Sequence, residues 1–165
     1  MLFRSTCLGP MAEVEPQSLD LNKFQPQNGK QYTLFNAFHH FPSAQQKQLI
    51  KKMKEAKANC IIAEVLEPSL LSFIQVTLAA FIVQPLTACA IRPFSILRMI
   101  TTYLIPIQLV TVAWDGWLSV IKSKNINQYK ELLNGFNDNQ YSIEVKKIQQ
   151  LQGNLIVIIA QPISS

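Results

Sequence analysis

Hydrophobic and polar positions alternate along this chain in patterns that predict its regular elements. Residues 32–38, YTLFNAF, form a short and almost entirely apolar run, bounded by QNGKQ before it and Pro42 after it. A continuous apolar run of this length predicts a strand buried on both faces, as in a parallel sheet. In the segment that follows, PSAQQKQLIKKMKEAKAN, Leu49, Ile50, Met53 and Ala56 make one apolar face and lysines occupy the rest. That pattern predicts an amphipathic helix packed on the sheet, and Ser43 followed by Gln46 has the spacing of a capping box. Residues 60–66, CIIAEVL, predict a second buried strand. Strand, helix and strand joined by short loops imply a parallel βαβ unit with a right-handed crossover.

The carboxyl-terminal end has a different pattern. In YSIEVKKI (141–148), Tyr141, Ile143 and Val145 alternate with Ser142, Glu144 and Lys146, whereas NLIVIIAQPI after the QQLQG turn is apolar throughout its middle. This predicts an antiparallel hairpin whose last strand lies inside the sheet, buried on both faces, with its predecessor at the edge. Just upstream, NINQYKELLNGF predicts a short helix, with Asn127 as candidate N-cap and Gly135 as candidate terminator. Residues 1–31 are polar, proline-bearing and aperiodic, and predict a loosely structured lead-in with one short turn around SLDLNKF.

Between these parts lies an apolar stretch. Residues 68–91 carry no charge, and after Arg92 and Arg98 a second uncharged run extends over 99–114. The first run is long enough to cross a bilayer and the second slightly short. Pro85 and Pro106 interrupt them, and Ser69, Ser72 and Gln75 recur on one helix face. Three readings compete: a helical hairpin over residues 68–121 that lies in a membrane interface or covers an apolar substrate, a spanning hairpin, and an ordinary buried core. Lysines on both flanks mildly favour cytoplasmic ends.

Composition narrows the function classes. Charged residues make up 15% of the 165 residues, against about 25% in average domains, and most of the deficit falls in the apolar stretch. Net charge is +5, but the cluster Lys47, Lys51, Lys52, Lys54 and Lys57 contains no aromatic residue, and there are three scattered arginines. That is a solvated helix face rather than a nucleic-acid surface. Cys7, Cys60 and Cys89 are isolated, without CxxC spacing. Reduced thiols, buried for Cys60 and Cys89, fit a cytoplasmic location, with membrane association left open by the apolar stretch. The first residues lack an apolar core long enough for a signal peptide.

Two clusters carry candidate chemistry. His39 and His40 end the first strand run. Adjacent strand residues point to opposite faces, so the two imidazoles do not readily share one metal, and no metal site is expected. One of them, as a lone base, would sit at the carboxyl end of a parallel strand, where open α/β sheets bind ligands. The alternative is that one packs in the core and the other caps the turn. In WDGW (114–117), Asp115 breaks an apolar run. It reads either as a carboxylate facing a ligand cavity or as part of a helix end or kink with an interfacial tryptophan pair. Glu64, near the end of the second strand, is a further candidate for the cleft, and Glu67 belongs to the loop. The five glycines are dispersed, and no Gly-rich loop follows any predicted strand.

TLFNAFHHF, the basic helix, IIAEVLEPSLLS, and then RPFS, TYLIPI and WDGW occur in an order that resembles the second half of a class I S-adenosylmethionine-dependent methyltransferase, of a bacterial-type group with an apolar insertion. The resemblance covers about residues 32–160. It implies an α/β fold: part of a Rossmann-like seven-stranded sheet, with residues 32–38 as the fourth strand, 60–66 as the fifth, and the last strand inserted beside the fifth. It divides the chain into a lead-in, 1–31, and a partial domain, 32–165, with the apolar helical insertion at 68–121. The implied reaction is methyl transfer from a sulfonium to a nucleophile, with His39, His40 and Asp115 as candidate catalytic residues and Asn36 and Phe38 bordering the cofactor. In the family, a Gly-rich turn after the first strand and an acidic residue after the second hold S-adenosylmethionine, and this sequence contains neither. The expectation is a fragment inactive alone and without bound cofactor. Its fourth-strand edge would be free for a missing amino-terminal half or for a second copy, and a membrane surface or an apolar substrate would meet the insertion. The rival expectation is a small integral membrane protein with one or two transmembrane helices and an interaction role, containing no parallel sheet.

Overall fold

The computed structural model describes residues 23–150 and 153–163. Cys7 and most of the predicted SLDLNKF turn lie outside them. The chain forms a mixed α/β structure in which one four-stranded sheet carries helices. Strands β1 (Gln31–Phe35) and β2 (Asn59–Glu64) are parallel and joined by helix α1 (Ser43–Glu55). Strands β3 (Tyr141–Gln150) and β4 (Gly153–Pro162) form an antiparallel hairpin. The sheet order is β1-β2-β4-β3, so the last strand lies inside, between β2 and the edge strand β3, as the hydrophobic pattern predicts.

One face of this sheet holds the core. Cys60, Ile62, Ile156, Ile158, Ala160 and Ile143 point to the same side and pack under α1 and α6 (Ile126–Leu133), which contribute Leu49, Ile50, Met53, Tyr129 and Leu133. The opposite face is only half covered: Ile61, Ala63, Val157 and Ile159 are partly exposed, and Phe35 is 73% exposed. Neither residues 32–38 nor the last strand is therefore buried on both faces. Among the described residues β1 is an edge strand with one covered face, and it ends at Phe35 because Asn36 turns the backbone into the left-handed region at φ 48°. β2 likewise stops at Glu64, two residues earlier than the apolar run suggests.

Two predicted caps are corrected. Helix α1 starts after Pro42 without a side-chain cap, and the Gln46 of the predicted capping box is buried instead, its Nε2 donating to the Phe38 carbonyl at 2.7 Å. In α6 the N-cap is Asn125, not Asn127. Asn125 Oδ1 accepts from the Gln128 amide while Gln128 Oε1 accepts from the Asn125 amide, a reciprocal capping box. The helix ends at Leu133, and Gly135 follows without a left-handed φ.

Residues 70–122 are mainly helical. Helix α2 (Leu70–Leu78), capped by the Ser69 hydroxyl, runs through a π turn at Ala79–Val83 into α3 (Gln84–Ala88). This continuous helix, Leu70–Ala88, is long and apolar enough to cross a membrane, and 11% of it is buried. A return limb follows: α4 (Ile96–Met99), a π turn at Ile100–Leu104, and α5 (Ile107–Lys122), with a 78° bend between its halves. Cys89 is exposed in the connection rather than buried.

Gly116 sits inside α5, not at a helix end or kink. A Cβ there would collide with Val76 Cγ1, so the two limbs cross where glycine lets the backbones approach. Beside the crossing, Trp117 Nε1 donates to Thr77 Oγ1 at 3.0 Å. Val76 is short and branched and has little room to yield. Gly116→Val is therefore expected to destabilise the hairpin by about 1–3 kcal/mol through overpacking, readable as a lower urea midpoint; an unchanged midpoint would mean that the limbs are not tightly apposed.

Candidate functional site

At the carboxyl ends of β1 and β2 the chain gathers several ionisable side chains. β2 alternates, with Cys60, Ile62 and Glu64 on the core side, so Glu64 is carried into the interior with no exposed surface. A buried carboxylate needs donors, and β1 delivers them. After Asn36, residues Phe38–His40 form a 3-10 turn over the end of β2. Glu64 Oε1 accepts the Phe38 backbone N–H at 2.7 Å, and Glu64 Oε2 accepts from His39 Nδ1 at 2.5 Å. With Nδ1 as the donor, His39 Nε2 is left as an acceptor, and it is buried without a partner.

The turn changes the geometry expected of the two histidines. Their rings do not point to opposite faces of a strand but lie against each other, with centroids 4.2 Å apart. His39 is buried and His40 exposed at the surface of the turn. Desolvation lowers the His40 pKa below its ordinary value, with His39 and Lys122 adding to the shift and Asp115 and Glu64 opposing it. Burial lowers the pKa of Lys124 and raises that of Tyr129. Glu64 pulls both upward. The Glu64 carboxylate is thus the shared electrostatic centre of this end of the sheet.

The other predicted site residues are placed as follows. Asp115 is exposed on α5, whose helix packs against the 3-10 turn, and it acts on His40 through its charge. Phe38 is fully buried and stacks on Tyr129 at a centroid distance of 6.0 Å, so its ring does not border an open cleft. Asn36 is exposed at the mouth, with Oδ1 accepting from the Val65 amide at 3.4 Å. Glu67 is a loop residue, as expected, and ties that loop to the hairpin: its carboxylate accepts from Lys147 Nζ at 2.9 Å and from Asn154 Nδ2 at 2.8 Å.

Phe38 is committed to the core, and the loops after β1 and β2 contain no glycine to let the backbone approach a ligand. A cavity of about 450 Å³ opens elsewhere, lined by Lys51, Lys54, Lys57, Phe136 and Tyr141 among others. Among the described residues, no three His, Cys, Asp or Glu side chains gather to hold a metal.

The chain matches none of the protein-family models and none of the curated proteins with which it was compared. Among solved structures it is similar to that of the pyocyanin biosynthetic protein PhzM, at 14% sequence identity and a TM-score of 0.43. The similarity covers 86% of this chain and 33% of that one, so the chain spans about a third of that structure's length.

Proposed function

We propose that this chain is the base-bearing half of a methyltransferase-like domain, residues 32–165, in which His39 takes a proton from a substrate nucleophile. The observation that carries the reading is the buried His39–Glu64 pair at the carboxyl ends of two parallel strands, with His39 Nε2 left without a partner. Glu64 fixes the tautomer and stabilises the imidazolium that forms when Nε2 accepts a proton, the role a buried carboxylate plays beside a catalytic histidine. Because Nε2 is buried, a substrate reaches it only when the groups packed over it move aside. Asp115 and His40 then act at the entrance rather than at the reacting atoms.

The strand order β1-β2-β4-β3 supports this reading, since it is the order the resemblance assigns to the fourth, fifth, seventh and sixth strands. Among the described residues β1 has a strand neighbour on its β2 side alone. Its other edge suits a Gly-rich, cofactor-holding half supplied by another segment or polypeptide. The rival reading, an integral membrane module without a parallel sheet, is harder to reconcile with the β1–β2 pairing.

Calorimetry of the full chain with S-adenosylmethionine should give no heat of binding in the micromolar range, and micromolar affinity would overturn the division of labour. Long-range proton–nitrogen NMR tests the base itself. In the neutral imidazole it should find the proton of His39 on Nδ1 and Nε2 bare, and the opposite tautomer would remove His39 from that role.

A further inference from the structure

We propose that the helical insertion docks on an anionic lipid membrane as a monotopic element, lying in the interface of one leaflet. This inference stands apart from the methyltransferase-like reading and does not need it. Around the tip of the insertion, Leu86, Phe94, Ile96, Leu97, Leu104 and Ile107 are each more than half exposed. So much exposed apolar surface in one segment marks a site of protein or membrane contact.

The hydroxyls of the insertion favour lipid as the occupant, while Gln84 Oε1 is buried without a partner. The Thr77, Thr87 and Thr101 hydroxyls donate to the carbonyls of Phe73, Val83 and Leu97 in their own helices. Tyr103 Oη donates to the Pro85 carbonyl at 2.5 Å, and Thr102 Oγ1 to Gln108 Oε1 at 3.0 Å. Groups satisfied in this way can enter hydrocarbon without loss, whereas a protein-recognition surface would keep polar groups outward to specify its partner.

Charge at the tip is of one sign. Between Pro68 and Trp114 the charged residues are Arg92 and Arg98. Arg98 closes the tip from inside, donating to the Ala88, Ile91 and Pro93 carbonyls. Arg92 is exposed beside the apolar tip, and a long basic side chain there can reach phosphate headgroups. Simple spanning is disfavoured by the 78° bend in the return limb and by exposed Asp115 on α5. An apolar face with an exposed cation beside it suits the interface.

Flotation of the full chain with phosphatidylcholine vesicles containing about a third phosphatidylserine tests the proposal. The chain should float with these vesicles and be released by alkaline carbonate. Phe94→Asp with Leu97→Asp, both at exposed positions, should cut the bound fraction at least about ten-fold with an unchanged circular dichroism spectrum. Arg92→Gln should weaken binding about five-fold on the anionic vesicles and leave the weaker binding to pure phosphatidylcholine unchanged. A folded chain that does not float, or one that self-associates through this face instead, would overturn the proposal. So would carbonate-resistant association, which means spanning, or equal binding by the double variant.

Discussion

Glu64→Ala is expected to lower the unfolding free energy by about 2–6 kcal/mol, because two buried donors lose their acceptor and each costs about 1–3 kcal/mol when left unpaired. The carboxylate and the imidazole of His39 both have no exposed surface, and Glu64 also accepts the Phe38 amide. Removing the carboxylate orphans two donors at once, at the point where the 3-10 turn is fastened over β2. If the loss comes from stranded donors rather than from the pair's own worth, a Glu64→Leu, His39→Leu double variant should recover much of it, because buried pairs exchanged for apolar side chains of similar size are often neutral. Urea unfolding followed by circular dichroism measures both. A loss below about 1 kcal/mol for Glu64→Ala, in the range of an exposed pair, would mean that this site is hydrated and that the pair does not hold the turn.

The same residues show how far the sequence could be read. Periodicity predicted β2, α1 and the terminal hairpin, because each has an apolar face of definite spacing and neighbours that end it. The position of β4 inside the sheet followed from LIVIIA being apolar where YSIEV alternates. What periodicity could not show is whether a second layer exists. The run at 32–38 looks two-faced in sequence, yet Phe35 is exposed because nothing among the described residues covers that side. The histidines were legible as a cluster but not as a pair with Glu64. Their relation depends on Asn36 adopting φ 48°, which converts the strand end into a turn and brings both rings to one side. A signal for Glu64 was nonetheless present. It falls in phase with Cys60 and Ile62 on the core face of β2, and an acidic residue in that register requires a partner. Caps were misplaced by two residues or assigned to the wrong group, although Gln128 three residues after Asn125 carries the capping-box spacing and Lys130 after Asn127 does not.

The one-sidedness of the sheet has its own expected result. Ile158→Ala should cost about 3–5 kcal/mol, the upper part of the range for a large-to-small change in a packed interior. Ile158 is fully buried in the inner strand, opposite Ile62 and Val145 and beneath the helices. Its neighbour Ile159 lies on the opposite face, opposite Ile61 and Glu144, and is only partly covered. Truncating Ile159 opens no closed cavity, since solvent reaches the site, so only part of the transfer term is lost and about 1–2 kcal/mol is expected. The contrast between adjacent residues cancels their common backbone and strand environment and isolates the covering layer. If the two variants unfold at the same urea concentration, the half-exposed face is packed in solution against a second copy or another segment. The partner of the β1 edge would then have to be sought on that face as well.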